Sequence, residues 1–413
     1  MKKVAIVVQR YGLSVNGGAE YHARLLAEQL NALYEVEVLT SCAQDYHTWA
    51  NAFSEGIERV NGIKVRRFSV KHPRNKAKVH RLLKKLNKRT LLQRSLRRLS
   101  LLARFEKLFE LDDNFEALGA EWSRQQGPYT PTLISYLKEN QDSYDAIIFF
   151  TYLYYPTFLG LAIAPSKSIL IPTAHDEPAI HLPVFKSFFH LPKAILYNTS
   201  SEKRLVTELF DNGEIYNDVV GIGISQSEEI SVNSIKELLD FDEPYLIYIG
   251  RIDPGKGADT LLDYFLQFKK AFVNPVKLVL IGQSFFEIPK QQDVVHMGFV
   301  SENIKITLLK GALALVMPSP HESLSLVTLE SLLNGVPVIV NGFSEVLVDH
   351  VLQSKAGFIF KDFDSFASSV LQVLENPEGR ELMSALAKTY VNENYRWELV
   401  LKKFNKAIDF VSE

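Results

Sequence analysis

Two glutamates eight residues apart carry the clearest chemistry in this chain. Glu322 follows Pro318-Ser319-Pro320-His321, and Glu330 closes the run that starts at Ser323. The first falls in a loop after an apolar strand. The second is expected about two turns down the next helix, on nearly the same face. Carboxylates accept paired hydrogen bonds well, so one can address sugar hydroxyls and the other ribose hydroxyls. A second segment, Gly250-Arg251-Ile252-Asp253-Pro254-Gly255-Lys256-Gly257, sets a forked cation and a point cation directly after a strand. That pairing suits a diphosphate, and neutralising a leaving diphosphate lowers a transition-state barrier. It is not a Walker A loop, which requires Gly-Lys-Ser/Thr. Near the start, Gly17-Gly18-Ala19-Glu20 lets backbone amides approach a phosphate or sugar at a helix N-terminus. His175, in Pro172-Thr173-Ala174-His175-Asp176-Glu177, is placed to donate to a substrate oxygen or phosphate. Each has an ordinary alternative: a turn, a basic loop, a solvated helix acid, a structural histidine. Cys42 has no partners at metal-ligand spacing, so no metal site is expected. Ser323 and Ser325 do not form a nucleophile elbow.

The elements that position these residues read as two successive strand–helix series. Val4–Val8 is an apolar strand, followed by the Gly-rich loop and a helical pattern through Leu25, Leu26 and Leu30. Further strands are read at Val36–Leu39, Ile63–Phe68, Ala146–Phe150, Ser168–Ile171, Ala194–Tyr197 and Ile215–Val220. Asn61-Gly62 is a turn signal. The pattern breaks between Gly221 and Leu238. A second series then follows, with strands at Tyr245–Ile249, Lys277–Ile281, Val294–Met297, Ala314–Met317, Pro337–Val340 and Gly357–Phe360. Helical patterns fall at Leu261–Lys270, Ile304–Leu309, Val327–Leu333, Arg380–Tyr390 and Trp397–Phe410. Such alternation predicts two doubly wound, parallel α/β domains facing across a cleft, with chemistry at the carboxyl ends of their strands.

Bulk composition agrees with this division. A chain of 413 residues, 46% hydrophobic, is long enough for two full cores. The net charge of -2 hides an asymmetry: residues 64–107 hold seventeen Lys or Arg and one acid, Glu106, against a net of -18 elsewhere. Leu82, Leu83, Leu86, Leu91, Leu92, Leu96, Leu99, Leu101 and Leu102 are interleaved with this charge. The segment 70–110 therefore reads as a basic helical insertion suited to an anionic membrane surface or an anionic acceptor, or simply packed and solvated. No nucleic-acid module accompanies it. A single cysteine excludes an internal disulfide and fits a reducing compartment. No run reaches 18 apolar residues, so no membrane span is expected. The N-terminus reads as a first strand and not an export signal, so a cytoplasmic protein is expected, peripheral on the inner membrane face if the basic segment meets the membrane.

Together these motifs resemble retaining glycosyltransferase family 4, of GT-B fold. The resemblance covers nearly the whole chain and is strongest from Tyr245 to Val340. The family's E-x7-E motif reads as Glu322 to Glu330, its strand-end Gly-Arg as Gly250-Arg251, and its Lys-Gly as Lys256-Gly257. Its N-terminal Gly-Gly loop reads as Gly17-Gly18 and its histidine as His175. The resemblance implies that Arg251 and Lys256 hold the donor diphosphate, Glu330 the ribose and Glu322 the donor sugar. It places the backbone at Gly298, Phe299 and Val300 against the base, with His175 beside the reacting sugar and Gly18 near the diphosphate. Ser323, Leu324 and Ser325 complete the donor loop. One departure stands out: the family usually has Gly where this chain has Ser325, and an aromatic where it has Leu324. In an ordinary backbone conformation Ser325 still offers its N–H, while its side chain crowds the donor phosphate.

The implied function is metal-independent transfer of a hexose, with retention, from a UDP- or GDP-sugar to a glycan or lipid-linked acceptor in surface polysaccharide synthesis. No cofactor besides the donor substrate is implied. The implied domains are 1–222 on the acceptor side, 223–392 on the nucleotide side, and a final helix, 393–413, returning to the first. Glycogen-type phosphorylases of the same architecture carry a pyridoxal-binding Lys in a much longer chain, and the acid–base carboxylates an epimerase needs are not assignable here. A non-catalytic, sugar-nucleotide-binding scaffold remains the alternative.

Overall fold

The computed structural model describes residues 1–15, 17–86, 113–225 and 235–413. Arg94, Arg97, Arg98, Arg104 and the leucines from Leu91 to Leu102 lie outside them, so the centre of the basic segment is not part of the description.

The chain divides into two compact units: Met1–Ile222 with Val400–Glu413, and Gly223–Leu399. The first holds an eight-stranded sheet: β1 (Lys3–Val7), β2 (Glu35–Ser41), β3 (Gly56–Val60), β4 (Ile63–Phe68), β5 (Ala146–Phe150), β6 (Ser168–Ile171), β7 (Ala194–Tyr197) and β8 (Tyr216–Val219), in the order β3-β4-β2-β1-β5-β6-β7-β8. All neighbours are parallel except β3 and β4. The central strands β5, β6 and β7 are wholly buried and, apart from Ser168, built of apolar and aromatic residues, as a sheet covered on both faces requires. Helices α1 (Gly18–Leu30), α2 (76–86), α3 (Asp113–Gln126), α4 (Pro131–Asn140), α5 (Tyr155–Gly160), α6 (Val184–Phe188) and α7 (Ser200–Phe210) belong to this unit.

Strand β3 does not appear in the sequence reading. Asn61-Gly62, read there as a turn ahead of a strand, is the tip of a two-residue hairpin in which Val60 pairs with Ile63. Both turn residues have positive φ, +48° and +80°, as a tight hairpin turn of this length demands. The strand is exposed and charged, at the edge of the sheet, so no apolar pattern announces it.

The second unit holds a six-stranded parallel sheet: β9 (Tyr245–Ile249), β10 (Lys277–Ile281), β11 (Val294–Gly298), β12 (Ala314–Met317), β13 (Val338–Asn341) and β14 (Gly357–Phe360), in the order β11-β10-β9-β12-β13-β14. Its helices are α8 (Ile235–Leu238), α9 (Ala258–Ala271), α10 (Glu302–Gly311), α11 (Leu326–Leu333), α12 (Glu345–Ser354), α13 (Phe363–Glu375) and α14 (Pro377–Asn394). The last helix, α15 (Trp397–Ser412), begins in this unit and from Val400 belongs to the first, where Lys2 pairs with Asp409 at 2.8 Å. Both sheets are doubly wound, and the fold is that of GT-B proteins. Among the described residues no helix is long and apolar enough to cross a membrane.

Candidate functional site

In the second sheet β9 has β10 on one side and β12 on the other. The crossover reverses between β9 and β12, and such reversals open a crevice at the carboxyl ends of the strands. The loops leaving these two strands are the two that carry the charged motifs.

After β9 the chain is held rigidly. The buried Tyr248 hydroxyl donates to the Arg251 carbonyl at 2.6 Å, and the Gly250 amide donates to Ile281 O at 3.0 Å. Gly250 has φ +154°, and its carbonyl lies where a side chain at Gly282 would have to sit. The Asp253 carboxylate then accepts the Lys256 amide at 2.9 Å, closing a 3-10 turn over Pro254–Lys256. Gly257 follows at φ +69°; a Cβ there would come within 2.5 Å of the Pro318 carbonyl. Only glycine lets the two loops lie this close. Asn341 Nδ2 donates to that same Pro318 carbonyl at 2.7 Å, fixing the second loop from β13.

The result is a set of direct pairs. Lys256 Nζ donates to Glu322 Oε1 at 2.7 Å, joining the cationic motif to the acidic one. Arg251 Nε lies 3.5 Å from Asp253 Oδ2. Glu330 lies in α11 and is paired with Lys305 of α10, whose Nζ donates to Oε2 at 2.8 Å. Burial pushes the Glu330 carboxyl up, against the pull of Lys305. Burial also opposes charge on Lys305, but Glu330 and Glu302 together raise it above the ordinary lysine range. The ammonium is therefore charged, and the Glu330 carboxyl group faces it.

Two expectations need correction. Glu330 is the fifth residue of an eight-residue helix, little more than one turn from its start, because α11 begins only at Leu326. Ser325 does not have an ordinary backbone conformation. At φ +59° and ψ 72° it lies in the left-handed region that favours glycine. Its hydroxyl turns to Thr328 Oγ1, 2.8 Å away, within the first helical turn. Leu324, in turn, is buried, and its carbonyl accepts from His350 Nε2 at 2.8 Å. Burial lowers His350 to about 4. The ring is thus neutral, its one proton goes to the carbonyl, and Tyr390 OH donates to Nδ1 at 2.9 Å.

Gly298 ends β11 at φ +66°, and its carbonyl accepts the Gly282 amide at 2.8 Å. Phe299 beside it is 75% exposed, an apolar ring available for stacking, and Val300 is half-buried. Since the sheet is parallel, Gly250, Arg251, Lys256, Gly298, Phe299, Val300, Glu322, Ser323, Leu324, Ser325 and Glu330 all lie at its carboxyl-end edge or on α11, which leaves from that edge.

The first unit presents its own carboxyl-end edge. Gly17 and Gly18 open α1 after β1; a Cβ at Gly17 would strike the Glu20 carboxylate, whereas Gly18 faces open space. Glu20 is buried and accepts from Arg10 Nε at 2.8 Å. His175 follows β6, half-exposed, with Nε2 3.9 Å from Glu177 Oε2. The loop carrying it is clamped by buried Glu202, which accepts from Ala174 N at 2.5 Å and Asn198 N at 2.6 Å. Burial raises Glu202 to about 8, against these amides, which favour the carboxylate. Thr151 and Thr173, at the ends of β5 and β6, have φ +62° and +51°, and their hydroxyls meet at 3.0 Å. Positive φ in β-branched residues is strained, and such strain gathers at functional sites. Lys305, His350, Glu202 and Thr151 carry no sequence motif and are absent from the sequence reading, and Thr173 enters it only as a neighbour of His175. Among the described residues no group of three or more His, Cys, Asp or Glu is placed to hold a metal ion.

Fold and site together define a GT-B protein with a charged crevice in its second domain. Residues 230–390, the segment containing that crevice, match the family described as Glycosyl transferases group 1. The chain is 26% identical over 249 residues to an uncharacterized glycosyltransferase of Methanocaldococcus jannaschii, covering 55% of this chain and 62% of that one. Among solved structures it is similar to a sucrose-phosphate synthase from Thermosynechococcus elongatus, with TM-score 0.68, 16% identity and 98% of each chain covered. It is also similar to an Anabaena protein solved in complex with UDP and glucose, with TM-score 0.67, 13% identity and 99% of this chain and 100% of that one covered.

Proposed function

We propose that the chain transfers a sugar from a nucleoside diphosphate sugar to a hydroxyl of a glycan or lipid-linked acceptor, with retention of configuration. The observation that carries this reading is the pairing of Lys256 with Glu322 at 2.7 Å, next to Arg251, at the reversal point of the second sheet. It joins the segment whose cations this reading sets on the diphosphate to the carboxylate it sets on the donor sugar. The family match over residues 230–390 and the UDP-bound Anabaena relative support a nucleotide donor, UDP- or GDP-linked.

In this reading Arg251 grips the diphosphate with its fork, and Lys256 supplies a point charge while still contacting Glu322. The two cations offset the charge that develops on the leaving diphosphate. Glu330, paired with Lys305, accepts from the ribose hydroxyls, and Glu322 accepts from the donor sugar. Phe299 lies against the base. His175 stands by the reacting sugar, and Gly18 offers backbone amides to the diphosphate. The leaving diphosphate takes the proton of the acceptor hydroxyl on the same face, so the protein positions and stabilises charge.

Donor turnover with UDP- and GDP-sugars, in the presence of a chelator, tests the proposal. Arg251→Ala should weaken nucleotide-sugar binding or turnover by roughly thirtyfold, the usual scale for a truncated charged contact of about 2 kcal/mol. Turnover near wild type in that variant would remove Arg251 from the site.

A further inference from the structure

The described part of the basic segment reaches a cavity that the donor site does not use. It lies in the first unit, at the carboxyl ends of β2 and β4, and has a volume of about 560 Å³. His47, Thr48, His72, Arg74, Lys76 and Gln125 are among its lining residues, and no acid is. We propose that this pocket binds the phosphoryl group of a phosphorylated acceptor; as an acceptor site it rests on the glycosyltransferase reading above.

The geometry favours a phosphoryl group over a neutral sugar alone. Arg74 is set firmly: its amide donates to Thr48 O at 2.9 Å, and Nη2 donates to Gln126 Oε1 at 2.7 Å. Its Nε is buried without a hydrogen-bond partner. That atom is closed off from solvent, so it is the partly exposed remainder of the guanidinium, lining the cavity, that offers its charge to an oxyanion. Lys76 is exposed and its Nζ lies 3.5 Å from His47 Nδ1. His72 stacks on Tyr129 with ring centroids 4.8 Å apart and sends Nδ1 toward Pro73 O at 3.2 Å, which orients the ring. Four elements thus converge on one cavity: the loop after β2, the loop after β4, the start of α2, and α3, which supplies Gln125.

The acids nearby are already engaged. The Asp45 carboxylate accepts from His47 N at 3.0 Å and from Thr48 N at 2.7 Å. Glu121 takes Lys78 at 2.6 Å and Gln125 Nε2 at 3.1 Å. Neither lines the cavity. A volume in the range of small-molecule sites has room for a sugar ring beside the phosphoryl group.

The pocket is also tied to the Gly17-Gly18 loop. The Arg10 guanidinium sits 5.5 Å from the Tyr46 ring centroid and 6.0 Å from that of Trp49, donates to Gln44 O at 2.8 Å, and pairs with Glu20 of α1. Residues 44–49 form the loop that carries His47 and Thr48. One guanidinium therefore couples the wall of the phosphoryl pocket to the start of α1, at the same edge of the sheet. A phosphorylated acceptor held there would present its hydroxyl toward the loop that the donor reading assigns to the diphosphate.

Titration calorimetry on the full chain tests this with glucose 6-phosphate, geranyl diphosphate and, as control, glucose. The variants are His72→Gln with Lys76→Gln, which leave the Arg74 hydrogen bonds intact, and separately Arg74→Gln. The wild type should bind at least one phosphorylated probe and not glucose. Each pocket variant should lose about tenfold or more in affinity, while Arg251→Ala keeps it. Stronger binding of glucose 6-phosphate assigns a soluble sugar phosphate, and stronger binding of geranyl diphosphate a lipid-linked acceptor. No binding of either probe, or binding lost in Arg251→Ala and kept in the His72/Lys76 variant, overturns the pocket. If the pocket variants lose the probe while the wild type turns over no nucleotide sugar, the glycosyltransferase reading fails and the phosphoryl site stands.

Discussion

Replacing Lys305 with methionine leaves a buried carboxylate without its cation. Lys305 Nζ stands 2.8 Å from Glu330 Oε2 and 2.6 Å from Glu302 Oε1. The Lys305 and Glu330 side chains are 15% and 12% exposed, so water screens this pair little, whereas Glu302 at 57% is well solvated. At the 2.8 Å separation, an effective dielectric constant near 20 gives about 6 kcal/mol of gross attraction. Desolvation offsets much of that, and removing one partner of a buried pair typically costs about 3–5 kcal/mol. Glu330 can relieve part of the cost by taking up a proton, so the lower end applies, a fall of roughly 6–12 °C in the melting temperature of the second domain. The pH dependence follows. Burial already raises the Glu330 carboxyl, and losing Lys305 raises it further. An acid whose folded pKa exceeds its unfolded one contributes stability at low pH that is lost as pH rises through the folded value. Lys305→Met should therefore be more stable at pH 5 than at pH 8, relative to wild type, and Glu330→Gln added to it should restore most of the loss at pH 8. Neither variant should bind nucleoside diphosphate well. Thermal unfolding at both pH values, with calorimetric nucleotide binding, reads all of this. A single variant as stable as wild type at pH 8, or a double variant no better than the single, would refute the reasoning.

Glu330→Gln should weaken binding of the free nucleoside diphosphate, whereas Glu322→Gln should slow turnover of the sugar donor and leave free nucleotide binding nearly intact; equal effects on nucleotide binding would reject that division. Burial lowers His22 to about 3 and His350 to about 4, so the folded protein holds both neutral. The unfolded chain binds these protons below about pH 6.5, so melting temperature should fall as pH drops from there toward 4, and His350→Gln should make that slope shallower. An unchanged slope would mean that other groups control acid unfolding. Ser325→Gly should raise stability by about 1 kcal/mol, since the left-handed backbone at φ +59° costs serine and not glycine; a lower melting temperature would show that the contact with Thr328 outweighs the strain.

Most strands of both sheets are legible in the sequence because they are parallel and buried on both faces. Such strands read as short unbroken apolar runs, and Tyr245–Ile249, Lys277–Ile281 and Ala146–Phe150 match with no shift at either end. The exception has a physical cause. Strand β3 is Gly-Ile-Glu-Arg-Val, exposed along its length, and owes its place to an Asn-Gly turn and to β4. The charge-rich residues of such an edge strand carry no burial signal. Helices α12 and α13 are also absent from the sequence reading, although Asp362 caps the latter in a full capping box with Ser365. That box uses serine where the familiar pattern has glutamate or glutamine.

The site was legible to a different depth. Arg251, Lys256, Glu322 and Glu330 stand in motifs whose spacing reflects loop and helix geometry, so local order in the chain reveals them. What holds them in place does not lie in local order. Lys305 is 25 residues from Glu330, and in sequence it is one more lysine on a surface-like helix, Glu-Asn-Ile-Lys-Ile-Thr. Its role arises only when α10 packs beside α11 and buries the pair. His350 is 26 residues from the carbonyl it supports, and a lone histidine on a helix announces nothing. Gly257 could be read as a motif glycine, but its need for the absence of a Cβ comes from Pro318, on another strand's loop. Groups that would contact ligand are constrained by chemistry and so recur as patterns. Groups that orient them are constrained only by where the fold brings two elements together. Ser325 lies between the two kinds. The glycine that the resemblance leads one to expect there answers a backbone demand, and the chain meets the same demand with serine in the left-handed region, held by Thr328. The backbone path of the loop from Pro318 to Ser325 is therefore set by its frame, by His350 on the Leu324 carbonyl and by Asn341 on the Pro318 carbonyl, more than by the residue that occupies its turn.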